Sequence, residues 1–257
     1  MAAISIEFLG TGTSQGIPVI ACECHVCRSD DPRDDRLRTS ALVRVGGTTL
    51  LIDAGPDLRQ QMLRARVAQL DAVLLTHEHM DHIAGLDELR SFNFHQRQAM
   101  DIHANEQTLA AVRRVYHYAF SSVKYPGVPE LMLHAIQRSP FNAAGVDVLP
   151  VEVMHHRMPV LGFRIGGLSY ITDAKTIDPV ELAKLEGTDV LVLNALRRQE
   201  HLSHLNLQEA MDLVGIVRPR KAYFTHISHL MGQHAEVAGE LPQGIELAYD
   251  GLVVEVL

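Results

Sequence analysis

The constraint that most limits this chain is the run Thr76-His77-Glu78-His79-Met80-Asp81-His82, set directly behind the apolar residues Ala72-Val73-Leu74-Leu75. The apolar run reads as a buried strand, so the polar residues sit where that strand ends, and Ile83-Ala84-Gly85-Leu86 then opens a helix. Imidazole and carboxylate at this density suit divalent metals such as zinc, manganese or iron. One loop cannot wrap all four side chains around a single ion, because His77 and His79 point one way and Asp81 and His82 the other. Two adjacent metals satisfy that geometry.

Further pieces follow the same rule, each placing a ligand-type residue at or just beyond the end of an apolar strand. Thr49-Leu50-Leu51-Ile52 leads into Asp53-Ala54-Gly55, and Val151-Glu152-Val153-Met154 leads into His155, ahead of Gly162-Phe163-Arg164. Tyr170-Ile171-Thr172 leads into Asp173, and Ala222-Tyr223-Phe224-Thr225 into His226. Open α/β sheets gather their chemistry at such strand ends. By residue type alone, His156 is as good a donor as its neighbour His155.

A chain of 257 residues without a Pro/Gly/Ser linker or charge block is expected to form one domain over 1–257. Its N-terminus runs straight into an alternating strand, with neither a basic region nor a cleavage site. No apolar run approaches the ~18 residues of a membrane span. A cytoplasmic protein with no membrane partner is expected. The net charge of −8 provides no extended nucleic-acid surface. A small phosphorylated substrate stays compatible with it, since two divalent cations would dominate the local field. Fifteen histidines exceed what two metals need, and His95, His117 and His134 read as surface or core residues.

All three cysteines fall in Cys22-Glu23-Cys24-His25-Val26-Cys27. An odd number packed this tightly argues against a disulfide framework. Thiolates at C-x-C-x-x-C spacing suit a tetrahedral zinc that needs one more nitrogen or sulfur ligand. His25 is wedged between two ligands, whereas His229, three residues after His226, would tie the N-terminal loop to the last strand-end loop.

Thr-His-x-His-x-Asp-His behind an apolar strand, with the later motifs in this order, resembles the signature of the metallo-β-lactamase superfamily of dinuclear hydrolases. The resemblance covers nearly the whole chain. It implies an α/β fold, a four-layer αββα sandwich of two packed mixed sheets flanked by helices. Gly10-Thr11-Gly12-Thr13-Ser14-Gln15-Gly16-Ile17-Pro18, the cysteine cluster and Arg38-Thr39-Ser40-Ala41 are similar to the branch containing the cyclic phosphodiesterase of the carbon–phosphorus lyase pathway. Gly55-Pro56-Asp57-Leu58-Arg59-Gln60-Gln61 also resembles protein B of pyrroloquinoline quinone biosynthesis, an iron-dependent oxidation. Ribonuclease Z is a third relative of this kind.

The resemblance implies that His77, His79 and His155 bind one metal, that Asp81, His82 and His226 bind a second, and that Asp173 bridges them. It selects His155 over His156, a position often occupied by glycine in this branch, and leaves His156 to line the pocket. Asp53 would stand behind the ligands and fix a ligand or its loop. Manganese or zinc at the centre, one structural zinc and a homodimer are likewise implied. The expected reaction is hydrolysis of a small cyclic phosphodiester, such as a ribosyl 1,2-cyclic phosphate, by hydroxide held between metals about 3.5 Å apart. Asp81 and His204 are the expected catalytic residues. His204 precedes a helical stripe of Leu207, Ala210, Met211 and Val214, and resembles the general acid that protonates the leaving alkoxide. The short span from Asp173 to His204 leaves no room for a tRNA-clamping arm. The full ligand set and His204 count against the oxygenase.

Arg38, Arg90 and Arg164 adjoin motif residues and are unranked candidate phosphate contacts, with surface salt bridging the commoner role for any one of them. The Gly10–Pro18 loop lacks the lysine of a P-loop and reads as a turn at the site rim, with Ser14 and Gln15 as hydrogen bonders. Asn105–Phe120 reads as one helix, and the loop Ser121–Pro129 as a lid or dimer contact.

Overall fold

The computed structural model describes residues 3–123 and 125–257. Its strands in chain order are β1 (Ile4–Gly10), β2 (Ser40–Val45), β3 (Thr48–Ile52), β4 (Ala72–Leu74), β5 (Met100–Ala104), β6 (Leu131–Ala135), β7 (Phe141–Ala143) and β8 (Val146–His155). There follow β9 (Met158–Ile165), β10 (Leu168–Ile171), β11 (Thr176–Ile177), β12 (Val190–Asn194), β13 (Lys221–Thr225), β14 (Ile245–Leu247) and β15 (Val253–Val256). A seven-stranded sheet runs β15-β1-β2-β3-β4-β5-β6, and an eight-stranded sheet runs β11-β8-β9-β10-β12-β13-β14 with β7 beside β8. Each sheet is antiparallel in its first part and parallel from β3 or β10 onward.

Side chains alternate across each strand, and that period sorts the apolar residues into three layers. Leu50, Ile52, Leu74, Phe163, Tyr170 and Val192 meet in the layer between the sheets. Leu51, Val73 and Ile102 face outward, against Leu58 and Met62 of α1 (Leu58–Arg64). On the other side Ile171, Leu193 and Phe224 face Leu207 and Ala210. Helix, sheet, sheet, helix is the order, and the αββα sandwich expected from the sequence is present.

Three local expectations differ from the fold. Asp81 and His82 lie inside a single helical turn, α2 (Met80–Ile83), and the chain breaks at Gly85 before α3 (Arg90–Gln96). A Cβ on Gly85 would stand 2.1 Å from the Gly55 carbonyl oxygen, so backbone approach dictates both the glycine and the break. The helix expected over Asn105–Phe120 is α4 (Glu106–Val115), ending at Tyr116 with a 3-10 turn beyond it. Tyr116 donates its hydroxyl to the Ile83 carbonyl at 2.8 Å, and Tyr118 donates to Asp87 at 2.6 Å. A continuous helix would not aim both rings at the α2–α3 connection. Finally, the segment 101–140, read as a helix and a loop, also supplies most of β5 and all of β6. Polar Asp101, His103 and His134 had hidden their strand alternation.

The remaining helices are α5 (Pro179–Leu182), α6 (Leu207–Val217) and α7 (His234–Glu240). Asn206 caps α6 in a reciprocal box with Glu209. No helix among the described residues is long and apolar enough to cross a membrane.

A buried arginine ties the N-terminal loop to the last part of the chain. Arg36, 2% exposed, donates to Thr11 Oγ1 (2.8 Å), the Ala248 carbonyl (2.6 Å) and His234 Nδ1 (3.1 Å). Since Arg36 can only donate, His234 must be neutral at Nδ1. Burial, reinforced by the Arg36 charge, lowers its pKa from 6.5 to about 4. A folded pKa below the unfolded one means the unfolded chain takes the proton first. This contribution is therefore complete above about pH 6.5 and lost as pH falls toward about 4. Thermal melts at about pH 7.5 and about pH 5 should show a larger acid loss in the wild type than in His234→Asn, which keeps an acceptor for Arg36. Equal losses would place the acid sensitivity elsewhere.

Candidate metal centre

Four strand ends and one turn deliver the ligands. His77 follows β4 by three residues, His79 caps α2, and Asp81 and His82 lie within it. His155 ends β8, Asp173 follows β10 by two residues, and His226 follows β13 directly. Asp53, Asp173 and His226 have φ of 61°, 56° and 56°, the left-handed region that non-glycine residues avoid. Such strain is retained where the surrounding structure over-determines it.

Three overlapping trios have ligand atoms all within 4.8 Å of one another: His77–His82–Asp173, Asp81–His82–His226 and His155–Asp173–His204. Asp173 belongs to two of them and faces His82 and His226 of the third. One of its oxygens lies 3.0 Å from His204 Nε2 and 3.2 Å from His226 Nε2. The other lies 3.4 Å from His82 Nε2 and accepts from Thr172 at 2.7 Å. His79, exposed at the rim, has Nδ1 3.0 Å from His77 Nε2 and its ring 5.2 Å from that of His155. All seven candidate ligands converge. His156 does not join them: it is exposed at φ 56° in the β8–β9 hairpin, where a glycine is the relaxed choice.

The rings are oriented from behind. His82 Nδ1 lies 2.7 Å from Asp53 Oδ2, and both side chains are wholly buried. Thr76, whose role the sequence reading overlooked, donates its N–H and hydroxyl to Asp53 at 2.8 Å each. His155 Nδ1 donates to the Ser203 carbonyl at 2.9 Å. Such partners fix the tautomer and leave Nε2 toward the cluster. Burial opposes charge on Asp173, but His226, His82 and a hydrogen bond from His204 hold its carboxyl well below the usual range. Burial lowers His155 to about 4 and also lowers His204, against the pull of Asp173. His82 Nε2 and both ring nitrogens of His226 are buried without a hydrogen-bond partner. Unpartnered nitrogens facing carboxylates are the donor set a divalent cation takes, so these residues fit a metal.

A second cluster lies on the N-terminal loop. Cys22, Cys24 and Cys27 Sγ stand 3.2, 3.4 and 3.5 Å from His229 Nδ1, and no disulfide joins them. The Cys27 N–H aimed at Cys24 Sγ, aided by His229, lowers the Cys24 thiol to about 6. A thiolate at neutral pH suits a metal. Exposed His25 is outside the cluster.

The arginines divide by their partners. Arg90 pairs with Asp87 at 2.6 Å on the surface, and Arg164 donates to the Lys184 and Glu186 carbonyls at 2.6 Å. Arg38 pairs with Asp57 at 3.1 Å beside Gly16, where φ is 65°. His95 is exposed, and His134 pairs with Asp101 at 2.7 Å.

A sequence profile described as the beta-lactamase superfamily domain matches residues 48–227, and the chain belongs to that superfamily. It is similar to a crystal structure described as a new diphosphatase from the PhnP family, with 37% identity, a TM-score of 0.92, and 98% of this chain and 97% of that one covered. A Porphyromonas gingivalis protein named octanoyltransferase is 42% identical over 247 residues, which make up 95% of this chain and 50% of that protein. The chain spans about half the length, or less, of the curated relatives it matches first. Zinc-bound PqqB from Methylobacterium extorquens (22% identity, TM-score 0.79, 97% of this chain and 99% of that one) shares the fold. So does the short form of human tRNase Z (18%, 0.71, 98% and 99%).

The two clusters should separate on mutation. Cys24→Ser is expected to remove one zinc equivalent and lower the melting temperature, while leaving most turnover per folded molecule. Metal analysis beside thermal melts reads this. Equal loss from both clusters would mean they are one cooperative unit.

Proposed function

We propose that the chain is a phosphodiesterase acting on a small, cyclic phosphodiester of the ribosyl 1,2-cyclic phosphate kind. The observation that carries the reading is the convergence of His77, Asp81, His82, His155 and His226 on Asp173, with His79 beside His77 and His204 Nε2 3.0 Å from the Asp173 carboxylate. In this reading His77, His79 and His155 hold one metal, Asp81, His82 and His226 the other, and Asp173 spans both. Cys22, Cys24, Cys27 and His229 hold a structural zinc. When bound, divalent cations here supply Lewis acidity and a nucleophile at neutral pH; manganese and zinc both suit the ligands.

The chain's residues do the rest. Asp53 and the Ser203 carbonyl keep two imidazoles aimed at the centre. His204 sits between the rings of His155 (4.4 Å) and His226 (5.0 Å) and delivers a proton to the leaving alkoxide. On its other edge, Nδ1 lies 3.1 Å from His201 Nδ1 and 3.1 Å from Ser203 Oγ. His201 is partly exposed and gives the proton a route back from solvent.

Similarity to a diphosphatase at 37% identity favours a second reading, cleavage of a diphosphate. The two differ in leaving group, since a departing phosphate needs a proton less than an alkoxide does. Ribonuclease Z and the quinone-pathway protein have less support, because their whole-length structural likeness lies at 22% identity or below. A tRNA-precursor assay and an oxygen-uptake assay test them.

Chelation followed by restoring manganese or zinc should abolish and recover hydrolysis of linear and cyclic phosphodiesters, and inactivity toward all of them would sink the reading. Asp173→Ala should lower metal content and abolish turnover with the fold retained.

His204→Ala should keep its metals and slow alkoxide-leaving diesters by roughly 10²–10⁴-fold. Bis(p-nitrophenyl) phosphate, whose nitrophenolate leaves unprotonated, should be affected far less. Uniform loss would make His204 a substrate-positioning residue.

A further inference from the structure

Asn194, the last residue of β12, is wholly buried, and its side chain does something the strand ladder cannot. β10 and β12 pair in parallel up to Ile171 and Leu193. The ladder stops there because the chain turns through the left-handed Asp173. Beyond the turn, Asn194 Oδ1 accepts the Ala174 N–H at 2.7 Å, and Nδ2 donates to the Ala174 carbonyl at 3.0 Å. The amide thus stands in for a missing strand partner, satisfying both polar groups of a buried peptide position.

That position carries more than its own weight. The Ala174 carbonyl also accepts the Leu205 N–H at 2.8 Å, and the Lys175 N–H donates to Met154 at 2.8 Å. Leu205 adjoins His204, and Met154 adjoins His155. Asn194 itself is in register with Thr225, the residue before His226. The amide therefore holds the Ala174 position, whose carbonyl is bonded directly to the backbone beside His204, and it lies next to the strand that ends in His226. A hydrophobic residue of similar size would fill the space and leave the Ala174 N–H unpaired.

We infer that Asn194 is a positioning residue that holds Asp173 and His204 in mutual register. The inference rests on the proposed roles of those two residues but is readable without turnover. Partners behind a metal ligand are worth about 10–100-fold in metal affinity or activity. Asn194→Asp keeps the shape and the Oδ1 acceptor while losing the donor to the Ala174 carbonyl. Asn194→Ser is smaller and uncharged.

The test titrates manganese into each metal-depleted variant and follows zinc retained by the cysteine cluster and the melting temperature. It then compares kcat and KM on an alkoxide-leaving diester and on bis(p-nitrophenyl) phosphate. Expected are folded variants that keep the cysteine-bound zinc and bind manganese about 10–100-fold more weakly. At saturating manganese, kcat should fall more for the alkoxide-leaving diester, with KM within about twofold. Unchanged manganese affinity and kcat would overturn the inference. So would parallel loss of zinc, manganese and fold in both variants, which would make Asn194 an ordinary core residue. If the wild type hydrolyses no phosphodiester, the functional reading fails alone, and the manganese titration still decides for or against Asn194.

Discussion

The buried pair of Asp53 and His82 is the interaction on which the centre depends. Both side chains are inaccessible to solvent and meet at 2.7 Å. His82 Nδ1 has Asp53 as its acceptor, so removing the carboxylate leaves a buried N–H unpaired, a loss of about 1–3 kcal/mol. Asp53 is therefore fixed as firmly as any core residue. Its left-handed backbone directs the carboxylate back under Thr76 and His82.

Close backbone approach then locks the turn that carries Asp81 and His82. The Ala54 N–H donates to the His82 carbonyl at 2.7 Å, and the Gly85 N–H to the Ala54 carbonyl at 2.8 Å. A Cβ on Gly55 would stand 2.2 Å from the Asp81 carbonyl oxygen, so no larger residue fits without moving that turn. The two halves are stitched together at the same edge. The Leu161 N–H of the second sheet donates to Thr76 of the first at 3.0 Å, and Ile227, after His226, exchanges bonds with Thr11 and Thr13. Chemistry sits where the sheets meet because loops from both halves there come within one side chain's length.

Much of this was legible locally. Apolar runs closed by Asp53, His77, Asp173 and His226 announced strands and the residues at their ends, since strand period and residue chemistry are both properties of a few consecutive residues. The same locality produced the misreadings. Asn105–Phe120 has a helical stripe throughout, but Tyr116 and Tyr118 are drawn to Ile83 and Asp87, far off in sequence. Polar residues on β5 and β6 masked two strands. Three arginines beside the motifs could not be ranked until the fold showed Arg90 paired with Asp87 and Arg164 held by backbone carbonyls.

What the sequence by itself determined is the inventory, which residues are donors and which strands they end; the αββα order of layers was implied by the resemblance that those motifs carry. Which donors meet was decided by the tertiary structure. His229 reaches the cysteines across more than 200 residues, His155 rather than exposed His156 turns inward, and Asn194 takes over from a strand ladder interrupted at Asp173. The physical reason is that hydrophobic periodicity is written every second or fourth residue. The meeting of two loops depends on how two whole sheets pack, and no short stretch of sequence carries that information.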